Sequence, residues 1–170
     1  MFPKKKIILF ILILGALFLV FALWYKYEYS MDIAVEYEVN KADLQQKLLI
    51  ATQGSEFKNA VTKNITDYYN QDSTYIKVID VCSLEKINPE NFNAIVVIHT
   101  WENWKAPEPV KLFIDRTKNY KNKIIVLSTS GKGTFKIEGV DAITGESKLE
   151  DSESFSNQII NQLASLLHNK

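Results

Sequence analysis

The stretch that decides the fold is residues 47–65, which read "KLLIATQGSEFKNAVTKNI". It begins with a short apolar run at 48–51, passes through a loop that contains Gly54, and continues into a segment whose apolar residues recur at helical spacing. A glycine-containing loop between a buried strand and a helix N-terminus is where α/β proteins hold phosphate groups. The stretch therefore predicts a strand–loop–helix unit. It also raises the question of whether the loop binds phosphate or Ser55 only caps the helix.

Strands and helices continue to alternate to the end of the chain. The run 94–98, "AIVVI", is apolar throughout, as expected of a strand that is covered on both faces. The alternating order and the apolar strands together predict a parallel sheet flanked by helices, and residues 131–139 leave no room for a full helix between the last two strands. We predict strands at 48–52, 75–81, 94–99, 123–128 and 140–143, and helices at 56–69, from Pro107 to about residue 120, and at 153–168.

Residues 1–29 are predicted to form a transmembrane anchor in the lipid bilayer. The segment 7–24 holds eighteen residues without a charge. At about 1.5 Å per residue, a helix of that length spans roughly 27 Å, close to the hydrocarbon thickness of a bilayer. A cleaved signal peptide is the alternative, with a passable cleavage site at 20–22. Bulky aromatic residues directly after that site favour an uncleaved anchor and suit an interfacial belt: Trp24, Tyr25, Tyr27 and Tyr29.

The lysines predict the orientation of the anchor. Three lysines at 4–6 precede the span, and only Lys26 lies between the span and residue 40. The positive-inside rule therefore predicts a single-pass protein of the cell membrane, with a cytoplasmic N-terminus and an extracytoplasmic domain. Residues 30–46 lie between anchor and domain. Residues 32–39 alternate apolar and polar side chains, a two-residue period that suits either an extra half-buried edge strand or an extended spacer.

Composition argues against two kinds of site. The chain has 20 basic and 20 acidic side chains and a formal net charge of zero, so it has no basic surface for nucleic acid. Cys82 is the only cysteine, which rules out an internal disulfide, and it has no nearby cysteine or histidine partner for a metal ion. We interpret Cys82 as a small apolar residue at a strand end.

Three stretches resemble the flavodoxin-like family. Residues 47–65 resemble the first strand, phosphate loop and first helix. Residues 80–114, "DVCSLEKINPENFNAIVVIHTWENWKAPEPVKLFI", are similar to an acidic turn, the third strand, an aromatic loop and a helix that begins with proline. Residues 123–133, "KIIVLSTSGKG", look like the fourth strand and its glycine loop. The resemblance implies a flavodoxin-like five-stranded parallel sheet in the order 2-1-3-4-5 over residues 47–170, with FMN as a cofactor.

The phosphate loop of this chain departs from the family pattern. In flavodoxins the loop resembles Ser/Thr-x-Ser/Thr-Gly-x-Thr, whose hydroxyl and backbone N–H groups surround the FMN phosphate. Thr52 matches the first position, but Gly54 stands where the second hydroxyl belongs, Ser55 where the glycine belongs, and Phe57 where the last threonine belongs. Glu56 would repel a phosphate dianion. We therefore interpret Ser55 as a helix N-cap and expect any FMN to bind weakly.

The cofactor-binding residues that the resemblance implies lie in three loops. Trp101 and Trp104 follow the central strand, where flavodoxin-like proteins place aromatic residues against the flavin ring, and they could stack on a flat ligand. The same tryptophans could instead cover an empty crevice or face a partner protein. His99 is interpreted as a core or rim histidine whose ring nitrogens are satisfied by hydrogen bonds, and not as a catalytic residue. The full set is Thr52, Gln53, Gly54, Ser55, Thr100, Trp101, Trp104, Thr129, Ser130 and Gly131.

No catalytic acid–base pair or nucleophile is predicted. Residues 55–58 fit the Ser-x-x-Lys spacing of penicillin-binding enzymes, but the companion motifs Ser-Asp-Asn and Lys-Thr-Gly are missing, so we attribute the match to chance. Two functions then remain. One is a membrane-anchored interaction or accessory module that is cofactor-free or binds flavin weakly. The other is an FMN-dependent electron-transfer module that acts with a membrane-associated partner.

Overall fold

The protein is described by a computed structural model that covers residues 3–29, 31–70 and 74–167. The chain divides into two compact units, Met1–Ser30 and Met31–Lys170. The first unit consists of one helix, α1 (Lys4–Tyr29). Its side chains at 4–25 are all exposed, and Lys4–Tyr25 is long and apolar enough to cross a membrane. A signal sequence would have the same length and composition, so the helix alone does not separate the two alternatives.

The second unit is built on a six-stranded sheet in the order β1-β3-β2-β4-β5-β6. Strands β2 to β6 are mutually parallel, and β1 pairs antiparallel with β3 at one edge. Counted from β2, the parallel strands follow the order 2-1-3-4-5 that the resemblance implies. The predicted count of five is wrong, because β1 adds a strand at the edge. The strands are β1 (Tyr37–Val39), β2 (Gln46–Thr52), β3 (Thr74–Asp80), β4 (Ala94–Thr100), β5 (Ile124–Thr129) and β6 (Ala142–Gly145).

Helices cover both faces of the sheet. Because side chains alternate along a strand, Leu48 and Ile50 of β2 pack on one face with α2 (Glu56–Asn70) and α4 (Ser152–Leu167). Leu49 and Ala51 pack on the other face with α3 (Glu108–Arg116) and the short 3-10 helix Val81–Lys86. The two cores explain why the central strands are apolar along their whole length. Residue 168, the predicted end of the last helix, lies outside the described residues.

Helix α3 ends earlier than predicted. The expected helix reached about residue 120, but Thr117 leaves the helical region with φ −108° and ψ 22°. Its hydroxyl donates to the carbonyl oxygen of Phe113 at 2.6 Å, which satisfies a carbonyl of the last turn. Residues Lys118–Lys123 continue as a 3-10 helix. The apolar spacing after residue 114 was therefore too weak a signal to place the end of the helix.

The connection from β5 to β6 holds no helix, as predicted. Residues 130–141 form turns and irregular backbone. A groove of about 770 Å³ lies beside residues 138–141 of this connection. Side chains from α3, the first residues of β5 and the last turns of α4 line it. It lies at the start of β5 and β6, away from the edge where the three predicted cofactor loops meet.

Residues 30–46 contain the extra edge strand that was one of the two alternatives for this region: β1 (Tyr37–Val39) pairs antiparallel with β3. The strand does not extend over residues 31–36, a segment that we call the strap. Ala34 of the strap is 7% exposed, whereas Ile33 and Val35 are 82% and 79% exposed, so the alternation there does not bury the apolar face. Cys82 is also exposed, in the first turn of a 3-10 helix, and not an apolar residue of the core. An alternating pattern shows that two faces differ, but it does not say which face is covered.

Candidate functional site

The three predicted cofactor loops meet at the C-terminal edge of the sheet. Parallel strands point the same way, so the loops after β2, β4 and β5 emerge side by side. Thr100 of β4 is paired in register with Thr129 of β5, and the Thr52 backbone of β2 lies beside Ile98. This edge is where open α/β sheets bind ligands, so it is the candidate site.

Gln53 ties the first loop to the second. Its side-chain oxygen accepts a hydrogen bond from the backbone N–H of Thr100 at 2.7 Å, and its side-chain nitrogen donates to Glu102 Oε1 at 2.8 Å. Thr52, which is 2% exposed, donates its hydroxyl hydrogen to the carbonyl oxygen of Gln53 at 3.0 Å. The side-chain polar groups of Thr52 and Gln53 are thus hydrogen-bonded within the protein. The Gln53 side chain holds the first and second loops together.

The strap closes the first loop from outside. Asp32 and Gly54 form an isolated antiparallel bridge in which the Gly54 N–H donates to the Asp32 carbonyl oxygen at 2.7 Å. Further along, the Ala34 N–H donates to Asp80 Oδ2 at 2.7 Å, and Glu36 Oε1 accepts from the Asp80 N–H at 3.2 Å. The strap thus lies against the ends of both β2 and β3.

This bridge explains why position 54 is glycine. A Cβ atom added to Gly54 would lie 2.8 Å from Asp32 Cβ and 2.9 Å from the Asp32 carbonyl oxygen, closer than real Cβ atoms approach such neighbours. The glycine therefore allows the close approach of a second backbone. The backbone that approaches belongs to the same chain.

Ser55 forms the N-terminal cap of α2. Its hydroxyl oxygen accepts a hydrogen bond from the backbone N–H of Lys58 at 3.3 Å, the contact that a capping serine makes with the third helical residue. The same oxygen lies 3.3 Å from the Lys58 side-chain nitrogen, which also contacts Met31 Sδ at 3.1 Å. Ser55 is half-buried, and its hydroxyl is shared between two groups of one lysine.

Two buried titratable groups stand behind this loop. The Lys58 side chain is fully buried, and burial lowers its pKa to about 8, against the opposing effect of the Glu102 charge. His99 is also fully buried, and neither of its ring nitrogens has a hydrogen-bond partner in the described part of the chain. Burial lowers the pKa of His99 to about 4, and the Lys58 charge adds to that effect. His99 is therefore a neutral core residue at neutral pH. The expected core position is confirmed, but the expectation that its ring nitrogens are satisfied by hydrogen bonds is wrong within the described residues.

The second loop holds its two tryptophans in different environments. Glu102 and Lys105 form a two-residue hairpin with N–H to carbonyl distances of 2.9 Å and 3.0 Å. Both central residues have positive φ, 50° at Asn103 and 59° at Trp104, which identifies a type I′ turn. Trp104 projects from its tip and is 83% exposed. A left-handed backbone conformation at a bulky residue such as Trp104 is less stable than a right-handed one by about 1 kcal/mol, so this turn is strained.

Trp101, by contrast, is held against the third loop. It is half-buried, its indole N–H donates to Ser128 Oγ at 2.9 Å, and its ring lies 5.4 Å from the ring of Phe135. Ser128 in turn donates to the carbonyl oxygen of Phe135 at 2.9 Å. The indole thus has a fixed orientation at the sheet edge.

Hydroxyl groups from three segments meet beside Trp101. Thr129 Oγ1 lies 2.7 Å from Thr100 Oγ1, and it accepts from Ser147 Oγ at 2.8 Å. Ser130 is 4% exposed, and its backbone N–H donates to the carbonyl oxygen of Gly145 at 3.0 Å. Gly131 is exposed, and nothing lies within 4 Å of the position that a Cβ atom would take.

Sequence reasoning did not place three residues in the site: Asp32, Lys58 and Ser147. For Lys58 two signals were present, namely the Ser-x-x-Lys spacing that we attribute to chance and its position beside Phe57 on the inner face of α2. Asp32 and Ser147 come from distant segments, and only the strand order brings them to this edge. No group of three or more acidic, histidine or cysteine side chains in the described residues could hold a metal ion.

No family model matches the chain, and no curated protein matches it. Among solved structures, the chain is similar to the crystal structure of oxidised Flavodoxin 2 from Bacillus cereus, with 15% sequence identity and a TM-score of 0.46. The match covers 70% of this chain and 99% of that chain. A similarity at this identity and TM-score does not establish a fold or a function. The fold class therefore rests on the sheet order and helix placement described above.

Proposed function

We propose that the chain is a single-pass membrane-anchored interaction or accessory module, with a flavodoxin-like fold whose phosphate loop is closed by its own strap. The observation that carries the proposal is the hydrogen bond from the Gly54 N–H to the Asp32 carbonyl oxygen. A backbone N–H at this point of the loop is a donor that a bound phosphate would need. Here the donor is already used.

The residues present do not fit the phosphate of FMN. Glu56 brings a negative charge into the first turn of α2, where the helix dipole would otherwise favour an anion. Hydrogen bonds to a charged phosphate contribute roughly 1.5–3 kcal/mol each. Losing the Gly54 donor and adding the Glu56 charge therefore removes several kcal/mol, equivalent to more than two decades of affinity.

The anchor part of the proposal rests on α1. All side chains at 4–25 are exposed, and most of them are apolar. Water solvates such groups poorly, whereas the hydrocarbon core of a bilayer accommodates them. The lysines at 4–6 favour a cytoplasmic N-terminus, which leaves the second unit outside the cytoplasm.

A binding role is supported by Trp104. An exposed tryptophan on a tight turn is the kind of residue that contributes most to protein interfaces, because its ring buries a large area with little loss of conformational freedom. The proposed partner is a membrane-associated protein that reaches the same edge of the sheet. Flavin-dependent electron transfer is the second candidate function, favoured by the fixed half-buried ring of Trp101 beside the hydroxyl cluster.

The visible absorbance spectrum of the purified full-length chain tests the proposal. Protein extracted in a mild detergent should lack the flavin band, and it should stay colourless after incubation with excess FMN followed by desalting. A Trp101→Ala variant, handled in the same way, is the matched control for weak stacking of flavin on that ring. A yellow protein with stoichiometric FMN would overturn the proposal in favour of electron transfer.

A further inference from the structure

We propose that Ser55 and Lys58 form a serine–lysine nucleophile pair that accepts the acyl group of a carboxylic ester. This inference is independent of the proposed function, since it requires neither a membrane nor a flavin. The Ser-x-x-Lys spacing alone does not indicate such a pair, because its companion motifs are missing. The structure supplies different evidence, which concerns the environment of the lysine and not the pattern.

The geometry places a base beside a hydroxyl. Lys58 Nζ lies 3.3 Å from Ser55 Oγ, close enough to receive the hydroxyl proton. Among the described residues, the one further hydrogen-bond contact of the ammonium group is with Met31 Sδ at 3.1 Å, a weak acceptor without charge. In the described residues Lys58 forms no ion pair within 4.0 Å, although its side chain is fully buried.

A buried lysine without a carboxylate partner is suited to act as a base. An exposed lysine stays protonated near neutral pH, whereas burial lowers the pKa of Lys58 to about 8. A useful fraction of the side chain is then a neutral amine at pH 7–8. Two other titratable groups act on it: Glu102 favours its charged form, and His99 of β4 stays neutral because its pKa is about 4.

The acyl transfer balances with these groups alone. Ser55 Oγ forms a bond to the ester carbonyl carbon as its proton passes to the neutral Lys58 amine. The bond from that carbon to the alcohol oxygen then breaks, and the leaving alkoxide takes the proton back from Lys58. The product is an acyl-serine and a free alcohol.

Acetylation by p-nitrophenyl acetate tests the pair in the full-length chain in detergent. The rate of nitrophenolate release is measured, and mass spectrometry of the digested protein identifies the acetylated residue. Ser55 should be acetylated, and the rate should rise with pH through about 8 as Lys58 loses its proton. This profile needs no variant, so it remains decisive even where a substitution disturbs the fold.

Three variants separate a nucleophile pair from a helix cap. Ser55→Asn keeps a capping oxygen but removes the hydroxyl, so acetylation at this position should disappear. Lys58→Met removes a buried charge with a side chain of similar size, and acetylation of Ser55 should slow by about 100-fold. Lys63→Met, on the exposed face of the same helix, is the matched control and should react at the unchanged rate. A folded protein without acetyl-Ser55, or Lys58→Met reacting at the wild-type rate, would overturn the proposal.

Discussion

At the scale of single residues, the structure gives a clear physical reason for a glycine at position 54. The sequence left two interpretations of the loop that contains Gly54: either the loop binds phosphate, or Ser55 only caps the helix. The structure shows a third: the Asp32 backbone approaches so closely that a Cβ atom would lie 2.8 Å from Asp32 Cβ. A single sequence cannot predict this contact, because the approaching segment lies more than twenty residues earlier and has no pattern that points to the loop.

Gly54→Ala should destabilise the domain. The added methyl group must push the strap away or strain both backbones, and overpacking of this kind costs about 1–3 kcal/mol. Gly131→Ala is the matched control, since nothing lies within 4 Å of its added Cβ. Urea unfolding of the chain that begins at Met31 measures both. Equal stability of the two variants would show that the strap does not lie on Gly54.

His99 should make the domain sensitive to acid. Its pKa is lowered from 6.5 to about 4 in the folded state, so between these pH values the unfolded chain binds a proton that the folded chain does not. The stability is therefore fully present above pH 6.5 and is lost as the pH falls towards 4, by roughly 3 kcal/mol.

His99→Leu isolates this effect from that of the carboxylates. The variant keeps an apolar side chain in the core and cannot bind the proton. The difference in unfolding free energy between the two proteins should shift by roughly 3 kcal/mol in favour of the variant between pH 7 and pH 4. Parallel pH profiles for the two proteins would contradict a buried, neutral His99.

At the scale of elements, the sequence predicted what local patterns can report. Continuous apolar runs predicted the parallel strands to within about two residues at each end, because burial on both faces leaves little choice of side chain. The strap was misread for a physical reason. The strap contacts the sheet through the Asp32 carbonyl oxygen, the Ala34 N–H and the Glu36 carboxylate, none of which is an apolar side chain. Its apolar side chains, Ile33 and Val35, face solvent.

Removing the strap should weaken the domain although no strand is lost. A chain that begins at Tyr37 lacks the Gly54–Asp32 bridge, the Ala34–Asp80 hydrogen bond and the Glu36 contacts. At about 1 kcal/mol for each hydrogen bond, we expect a loss of roughly 2–4 kcal/mol relative to a chain that begins at Met31. Denaturant midpoints of the two soluble chains give the comparison, and identical midpoints would mean that the strap adds no stability.

At the scale of the whole molecule, the sequence predicted which loops share one edge of the sheet better than it predicted the side-chain contacts between them. Parallel strand order alone predicts that the loops after β2, β4 and β5 share one edge. It does not predict that Gln53 links two of these loops or that Ser147 joins the hydroxyl cluster, since both depend on side-chain positions within an assembled edge.

The proposed anchor makes a prediction about topology. With lysines at 4–6 inside the cell, the second unit should lie outside the cytoplasm. Protease added to intact cells with permeabilised walls should digest the domain, while a cytoplasmic marker protein stays intact. A domain that is protected until the membrane is lysed would reverse the orientation.

Calorimetric titration of the chain that begins at Met31, with FMN and with riboflavin, tests the central claim most directly. The two ligands share the flavin ring and differ in the phosphate, so their difference in affinity reports whether the loop after β2 binds phosphate. Because the Gly54 N–H already bonds to Asp32 and Glu56 repels the anion, both ligands should bind similarly and with dissociation constants above about 1 μM. Sub-micromolar binding of FMN, with riboflavin far weaker, would show that the loop holds phosphate and that the strap does not close it.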